Sequence, residues 1–400
     1  MTGGRRDVVV VGAGIVGAAV AWRAARAGLT VTVLDPTPGR GATHAAAGML
    51  APAAEAWFGE EDATRVGLAG LAAWPAFATD LATDLAAGTG ARSPGPGLRD
   101  GGSLLVAYDV GDLAEVRRLV ALHDGHGLGS VELTVADTRR SEPLLGPRVS
   151  GAARIAPDRS ADPRATVAAL LAALAAEPRA VVVRSTATRV LIQGGRAAGI
   201  VDDTGAEHPG GAVVLAAGWR TPELVTDLPV PVPVRPVRGQ TVRLDAAPGG
   251  APAHVVRGLV QGRPVYVVPR APRPDGTCEV VVGATSDEGP DDGRPTAGGT
   301  FALLRDARAL LPALDEAAVV DQTSRARPGT PDNLPLVGPT GVPGLLLATG
   351  HHRNGILLAP VTAEAVVALL TGAPPSDALR VADPRRFDPS SPDLTLRSRP

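Results

Sequence analysis

The chain has no lysine; all 39 of its Lys+Arg positions are arginine. That removes a catalytic lysine, a Schiff-base enzyme and a Walker-type phosphate loop. A single cysteine, Cys278, excludes an internal disulfide framework and a cysteine-cluster metal centre, and no metal site is expected. An excess of one charge is also missing. With 39 basic and 41 acidic residues the net charge is −2, which argues against a nucleic-acid binder that works by bulk charge. No stretch approaches 18 uninterrupted apolar residues, so no membrane span is expected. Arg5-Arg6, with Ala19-Val20-Ala21 behind, imitates a twin-arginine export signal, but Asp7 breaks it at once. A cytoplasmic protein is expected. Aromatics are only 2%, and Asn, Ile, Phe and Tyr are scarce beside Ala, Gly, Pro, Arg and Val. This is the composition of a GC-rich genome and says nothing about chemistry. Gly 49 and Pro 38 together make about a fifth of the chain, short of low complexity.

What is present suggests two to three domains, at roughly 150 residues each. Val8–Val11 is a β-branched run expected for a strand buried on both faces. Ala18–Ala27 reads as a helix ended by Gly28, and Thr30–Leu34 as a second strand, so a parallel βαβ unit opens the chain. Residues 61–87 read as helix, kinked or divided at Pro75. Ser93–Gly97 is a breaker. Gly102–Tyr108 reads as a strand and Asp112–His123 as a helix. Asp162-Pro163 starts a helix running to about Ala176. Strand patterns follow at 181–183, 190–193, 197–201 and 212–217. Residues 230–285 differ in character: extended segments and a hairpin from 264–269 to 279–283 suggest an antiparallel sheet. Phe301–Leu311 reads as helix and Val319–Arg327 as a strand with Arg325 and Arg327 on one face. Leu345–Ala348 is a strand, and Ile356–Leu370 a helix ended by Gly372. The expected organisation is α/β plus α+β. A discontinuous dinucleotide domain takes 1–85, 145–220 and 325–372. A substrate domain with an antiparallel sheet takes 86–144 and 221–324, and 373–400 forms a loosely packed tail.

Gly12, Gly14 and Gly17 make G-x-G-x-x-G between the first strand and helix. Gly12 allows the tight turn, Gly14 the approach of a pyrophosphate and Gly17 close helix–strand packing. The helix start, with Ile15 and Val16, offers N–H groups to phosphate. Asp35, eighteen residues past Gly17, accepts hydrogen bonds from ribose hydroxyls and repels a 2′-phosphate. The ligand is FAD or NAD rather than NADP, and the fingerprint alone does not separate the two.

Three later stretches resemble the FAD-dependent amine and D-amino acid oxidases. They are Ala42-Thr-His-Ala-Ala-Ala-Gly-Met-Leu-Ala-Pro52, Val214-Leu-Ala-Ala-Gly-Trp219, and Arg325-Ala-Arg327-Pro-Gly-Thr-Pro-Asp332 followed by Gly350-His-His-Arg-Asn-Gly-Ile356. The A-A-A-G-M-L run with Glu55 shortly after most resembles the glycine oxidase subgroup linked to thiamine thiazole synthesis. The resemblance runs from residue 7 to about 372. It implies a non-covalent FAD held by the fingerprint residues and by Ala42, Thr43, Ala47, Gly48, Met49, Ala187, Gly218, His351, His352, Arg353, Asn354, Gly355, Ile356 and Leu357.

Such an enzyme clamps the substrate carboxylate, holds Cα for hydride transfer and stabilises charge on the reduced cofactor. The resemblance assigns the clamp to Arg327, through a bidentate fork, and to Tyr266 in the strand Val265–Arg270. Arg353 offers a second contact. The helix near Ile356 points its N-terminus at the cofactor. His351 and His352 are expected to contribute backbone rather than a base, and His44 to neighbour the pyrophosphate. Ser286 and Ala51 depart from the pattern and leave pocket size open. The implied partners are a small amino acid and O₂, with a homo-oligomer left open. The expected reaction is oxidation of glycine to an imine and hydrogen peroxide. A D-amino acid or sarcosine oxidase and a flavin dehydrogenase are the near alternatives. An NAD enzyme and a flavin-binding protein without turnover are the distant ones.

Overall fold

The computed structural model describes residues 5–89, 95–288 and 292–388. β1 (Arg6–Val11), α1 (Ile15–Arg26) and β2 (Val31–Leu34) form the parallel unit the sequence implied. Val8 and Val10 face the helices, while Val9 and Val11 enter a second core behind the sheet, and all four are buried. A β-branched run is therefore what this strand needs. α2 (Ala42–Ala45) is a single turn and β3 (Met49–Leu50) a two-residue strand. α3 (Glu61–Thr89) runs through Pro75 without being divided. Pro75 is exposed, while Trp74, Phe77 and Leu81 bury the opposite face. That burial outweighs the lost backbone bond.

β4 (Ser103–Ala107), α4 (Val110–Gly125), β5 (Ser130–Leu133), α5 (Val135–Ser141), β6 (Gly151–Ile155) and β7 (Arg159–Ser160) follow. α6 (Pro163–Ala176) starts as expected, with the Asp162 carboxylate accepting from the Arg164 and Ala165 N–H groups. Next come β8 (Ala180–Val183), β9 (Ala187–Gln193), β10 (Arg196–Asp202) and β11 (Glu207–Leu215). The remaining strands are β12 (Arg235–Ala246), β13 (Val255–Val260), β14 (Arg263–Pro269), β15 (Cys278–Gly283), β16 (Asp287–Glu288), β17 (Ala318–Gly329), β18 (Leu336–Pro339) and β19 (Leu345–Thr349). α7 (Ala297–Leu310) precedes β17, and α8 (Gly355–Leu370) follows β19.

Among the described residues these strands make two large sheets. The first runs β18-β19-β11-β1-β2-β8, with β10 and β9 branching from β11. Its central strands are parallel, and α1, α3, α6 and α8 cover one face. The second runs β16-β12-β15-β14-β13-β4-β6-β5, with β17 paired to β12. It is mainly antiparallel, and α7 packs on one face over Val242, Val267, Val280 and Val282. The other face, with Tyr266, Val268 and Val281, turns toward the first lobe and Ala47 and Met49. The fold class is thus a Rossmann-type domain with a second, largely antiparallel sheet.

Three features depart from the sequence reading. β6 lies beyond the boundary expected near residue 145, and it pairs with β4 and β5 in the second sheet. β13 was not anticipated, because Arg257 and Gly258 break its apolar pattern and its parallel partner β4 is remote in sequence. Of the tail, residues 389–400 lie outside the described region, but 373–388 pack in short 3₁₀ turns. Leu379 and Ala382 are buried there, and Arg386 grips Asp332 at 2.8 Å. His352–Leu370 is long and apolar enough to cross a membrane by composition, yet α8 is a packed core helix here.

Trp74 ties α3 to α8. Its ring is fully buried, and its indole N–H donates to the carbonyls of Ile356 and Leu357 at 3.2 and 3.1 Å. Trp74→Ala is expected to cost about 3–5 kcal/mol of unfolding free energy, measured by urea denaturation. A loss below about 1 kcal/mol would show that the contact between these helices is not stability-determining.

Candidate active site

A cleft of about 930 Å³ lies between the two sheets and holds most of the residues singled out in the sequence. Its floor begins at the glycine turn. Gly12 sits at φ +99°, and a Cβ there would enter the Ala216 carbonyl. A Cβ on Gly17 would collide with the Gly12 carbonyl, so α1 lies directly on β1. Gly17 does not line the cleft, whereas Gly12, Gly14, Ile15 and Val16 do. Asp35, at the end of β2, accepts from the Ala13 N–H at 2.6 Å and the Thr37 N–H at 2.8 Å. Its carboxylate is fixed beside the turn. Thr43 Oγ1 accepts from the Ile15 N–H at 3.0 Å, so one helix-terminal donor already has a partner.

The small-residue loop makes the next wall. Ala42, Thr43, Ala47, Gly48 and Met49 all line the cleft. Gly48, at φ +82°, lies so close to the Ala161 carbonyl and Pro163 that no side chain fits. Ala187, at the start of β9, and Gly218, in the 3₁₀ turn after β11, also line the cleft. His351, His352, Arg353, Gly355 and Ile356 close it, and α8 begins there, so its N-terminus favours negative charge in the cleft. Asn354 and Leu357 do not line the cleft. Leu357 faces the helical core, where it packs on Gly67 and its carbonyl meets Trp74.

The second sheet supplies the opposite wall. Arg327 lies near the end of β17 and Tyr266 lies on β14, yet both line the cleft and Arg327 stands close enough to act on the Tyr266 hydroxyl. Burial pushes the Tyr266 hydroxyl above its ordinary range, and Arg327 opposes that rise. The Arg327 guanidinium lies flat over Gly239 of β12, where any Cβ would occupy its place, and donates to the Thr285 carbonyl at 3.2 Å. The Tyr266 ring lies over Gly283 in the same way. Glycines inside strands mark such close approaches, and that signal at Gly239 and Gly283 was present in the sequence but unused. Arg257, opposite Tyr266 on β13, also went unnoticed. It pairs with Glu55 at 3.4 Å, and both line the cleft. Ser286 lines the cleft, and Arg353 is exposed at its rim. Cys278 is buried at the start of β15, and burial raises its thiol pKa.

The histidines are held neutral. His351 is buried with its Nε2 2.9 Å from Thr362 Oγ1, and burial pushes its pKa down to about 3. His352, at φ +47°, is also lowered to about 3, first by burial and then by Arg353, Arg327 and Arg235. His44 is lowered to about 4 by burial, Arg164 and Arg40. None has the basicity of a proton acceptor at neutral pH. An unfolded imidazole takes up a proton near 6.5, so between that pH and about 3 the unfolded chain binds protons that folded His351 refuses. This contribution to stability is complete above the unfolded value and is lost as pH falls. His351→Leu is therefore expected to show a shallower loss of unfolding free energy from pH 7 to pH 4, measured by urea titrations. Parallel curves would reject a neutral buried His351.

Comparison with known proteins places this geometry in a family. The model for "FAD dependent oxidoreductase" matches residues 7–369. A bifunctional protein ThiO/ThiG of Nostoc is 34% identical over 379 residues, covering 91% of this chain and 52% of that protein. The chain thus spans about half the length of the first curated relatives it matches. A glycine oxidase of Pseudomonas putida is 32% identical over 388 residues, covering 96% of this chain and 98% of its own. The crystal structure of glycine oxidase from Geobacillus kaustophilus superposes with a TM-score of 0.83 at 30% identity, over 95% of this chain and 98% of that one. The glycine turn, fixed Asp35 and paired Arg327 and Tyr266 accord with these likenesses: the chain belongs to the FAD-dependent oxidoreductase family.

Proposed function

We propose that this enzyme carries out the oxidative deamination of glycine in the cytoplasm and supplies the thiazole branch of thiamine biosynthesis. The observation that carries the reading is the Arg327–Tyr266 pair, facing a dinucleotide cradle across one cleft. The likeness to glycine oxidases and to the bifunctional ThiO/ThiG protein supports it.

FAD fits the residues present. Gly12, Gly14, Ile15 and Val16, which line the cleft, would cradle its pyrophosphate, and Asp35 would meet a ribose. Thr43, Gly48, Met49, Ala187, Gly218 and the 351–356 loop would hold the rest. FAD, when bound, would supply the hydride acceptor for the amino acid Cα and the route for those electrons to O₂, with hydrogen peroxide as product.

The protein's own work is positioning. Arg327 presents two parallel N–H donors to the substrate carboxylate, and the Tyr266 hydroxyl supplies a third. Arg353 adds positive charge at the rim. Neutral His351 and His352 add no further positive charge beside the amine. The α8 N-terminus favours negative charge that develops in the cleft. Water then hydrolyses the product imine to glyoxylate and ammonia. Ser286, a small side chain in the cleft, favours a second reading in which sarcosine or D-alanine is also accepted.

Anaerobic glycine should bleach the visible flavin band of the purified protein. In air, peroxide release should be greatest with glycine among glycine, sarcosine, D-alanine and D-proline. Preference for a bulky D-amino acid would overturn the substrate assignment, and no bleaching by any amine would overturn the oxidase. Arg327→Met should raise the glycine KM by about ten- to a hundredfold with FAD still bound. Gly239→Val, whose side chain would displace the same guanidinium, should act in the same direction. An unchanged KM in both would remove the clamp.

A further inference from the structure

Four carbonyls of the loop that lines the flavin side of the cleft are held from below. The Arg40 carbonyl accepts from Arg325 Nε at 2.9 Å and the His44 carbonyl from Arg164 Nε at 2.9 Å. The Ala45 carbonyl accepts from Thr241 Oγ1 at 3.0 Å and the Ala46 carbonyl from Arg243 Nη2 at 3.4 Å. Arg164 comes from α6 in the first lobe. It crosses to the second lobe, where its Nη2 meets Asp321 at 2.5 Å and Thr323 at 3.3 Å.

These partners are arranged as a row. In the β12–β17 ladder, Gly239 faces Arg325, Thr241 faces Thr323, and Arg243 faces Asp321. Alternate residues share a face, about 7 Å apart. The same face of the same ladder therefore carries Arg327 lying on Gly239 at one end and the grip on the loop at the other.

The geometry points to Arg164, Thr241, Arg243 and Arg325 as positioning residues that set how far the flavin loop stands from the carboxylate clamp. The inference rests on the reading of Arg327 as that clamp. Hydride transfer needs the substrate Cα held close to the acceptor atom, and small misplacements cost rate rather than binding. A rigid ladder that holds both parties fixes that distance. Its paired carbonyls also leave the loop's remaining N–H groups available to the cleft. Arg243 is 1% exposed and paired with Glu279, so the end of the rack farthest from Arg327 sits in the core.

Arg164 does not line the cleft, so an effect of changing it on FAD has to pass through the loop. Thr241→Val removes one hydroxyl with almost no change of shape and keeps the fold. Both Arg164→Met and Thr241→Val are expected to weaken FAD binding by about fivefold or more, read by flavin fluorescence with the apoprotein. With FAD saturating, anaerobic flavin reduction at saturating glycine should slow by about tenfold while the glycine dissociation constant stays within a few-fold of wild type. Arg164→Lys, which can still donate to the His44 carbonyl, should recover most of both. A rack that merely glues the lobes together would lower the melting temperature and leave both readouts unchanged, which would overturn the inference. Weaker FAD binding with a normal reduction rate would also overturn the distance-setting role. If wild type is not reduced by any amine, the proposed function fails, and wild-type FAD affinity in both variants would then sink the rack as well.

Discussion

The pairing of β12 with β17 is the constraint on which the rest of the site depends. Each strand is twelve residues long, and their register runs from Arg235–Gly329 to Asp245–Ala318 with one shift near Arg243. A one-residue slip would turn every side chain on this ladder to the opposite face. Val242 and Leu244 would leave the core under α7, and Thr241 and Arg243 would leave the Ala45 and Ala46 carbonyls. Apolar burial on one face thus locks polar chemistry on the other. The second lobe needs no separate device to orient Arg327, because the same ladder that buries its valines aims its arginine.

Glycine supplies the complementary constraint of space. At Gly12 and Gly17 it brings a helix onto a strand, at Gly48 it lets the loop touch Ala161, and at Gly239 and Gly283 it gives two functional side chains a flat bed. Only the first group announces itself as a motif, because those glycines fall at fixed spacing around a turn. The strand glycines have no motif. They are recognisable only by asking what large neighbour needs the missing Cβ: Arg327, two residues beyond the partner of Gly239, and Tyr266, directly opposite Gly283, each across a ladder the sequence does not reveal.

This difference explains what could be read in advance. The βαβ opening, the Asp162-Pro163 helix start and the 264–283 hairpin follow from local rules, and each stands where it was expected. The resemblance supplied Tyr266 and Arg327. Their meeting, at 61 positions' separation, depends on the order β17-β12-β15-β14, which has no local signature. The misses have the same origin. β13 was hidden because Arg257 faces a cleft rather than solvent or core. α3 survives Pro75 because Trp74 and its neighbours pay in burial. At the start of α8 successive residues turn through about 100°, which sends the Leu357 side chain to the helical core.

The missing lysine also acquires a physical meaning at the junction of the lobes. Arg243 and Arg270 are buried side by side, with Glu279 between them and Asp162 beside Arg270. Burial lowers Arg270 to about 10, so it stays charged at neutral pH. A lysine starts about two units lower and has been seen to fall to 5–6 when buried. In the same place it would risk losing its proton, and with it the positive charge that Arg270 shares between Glu279 and Asp162. Shape matters as well. Arg164 reaches a carbonyl of α2 and a carboxylate and a hydroxyl of β17 from one planar group, which the compact ammonium of lysine does less readily. Genome composition accounts for the absence of lysine across the surface. At this junction the same bias coincides with what a buried polar contact between lobes requires.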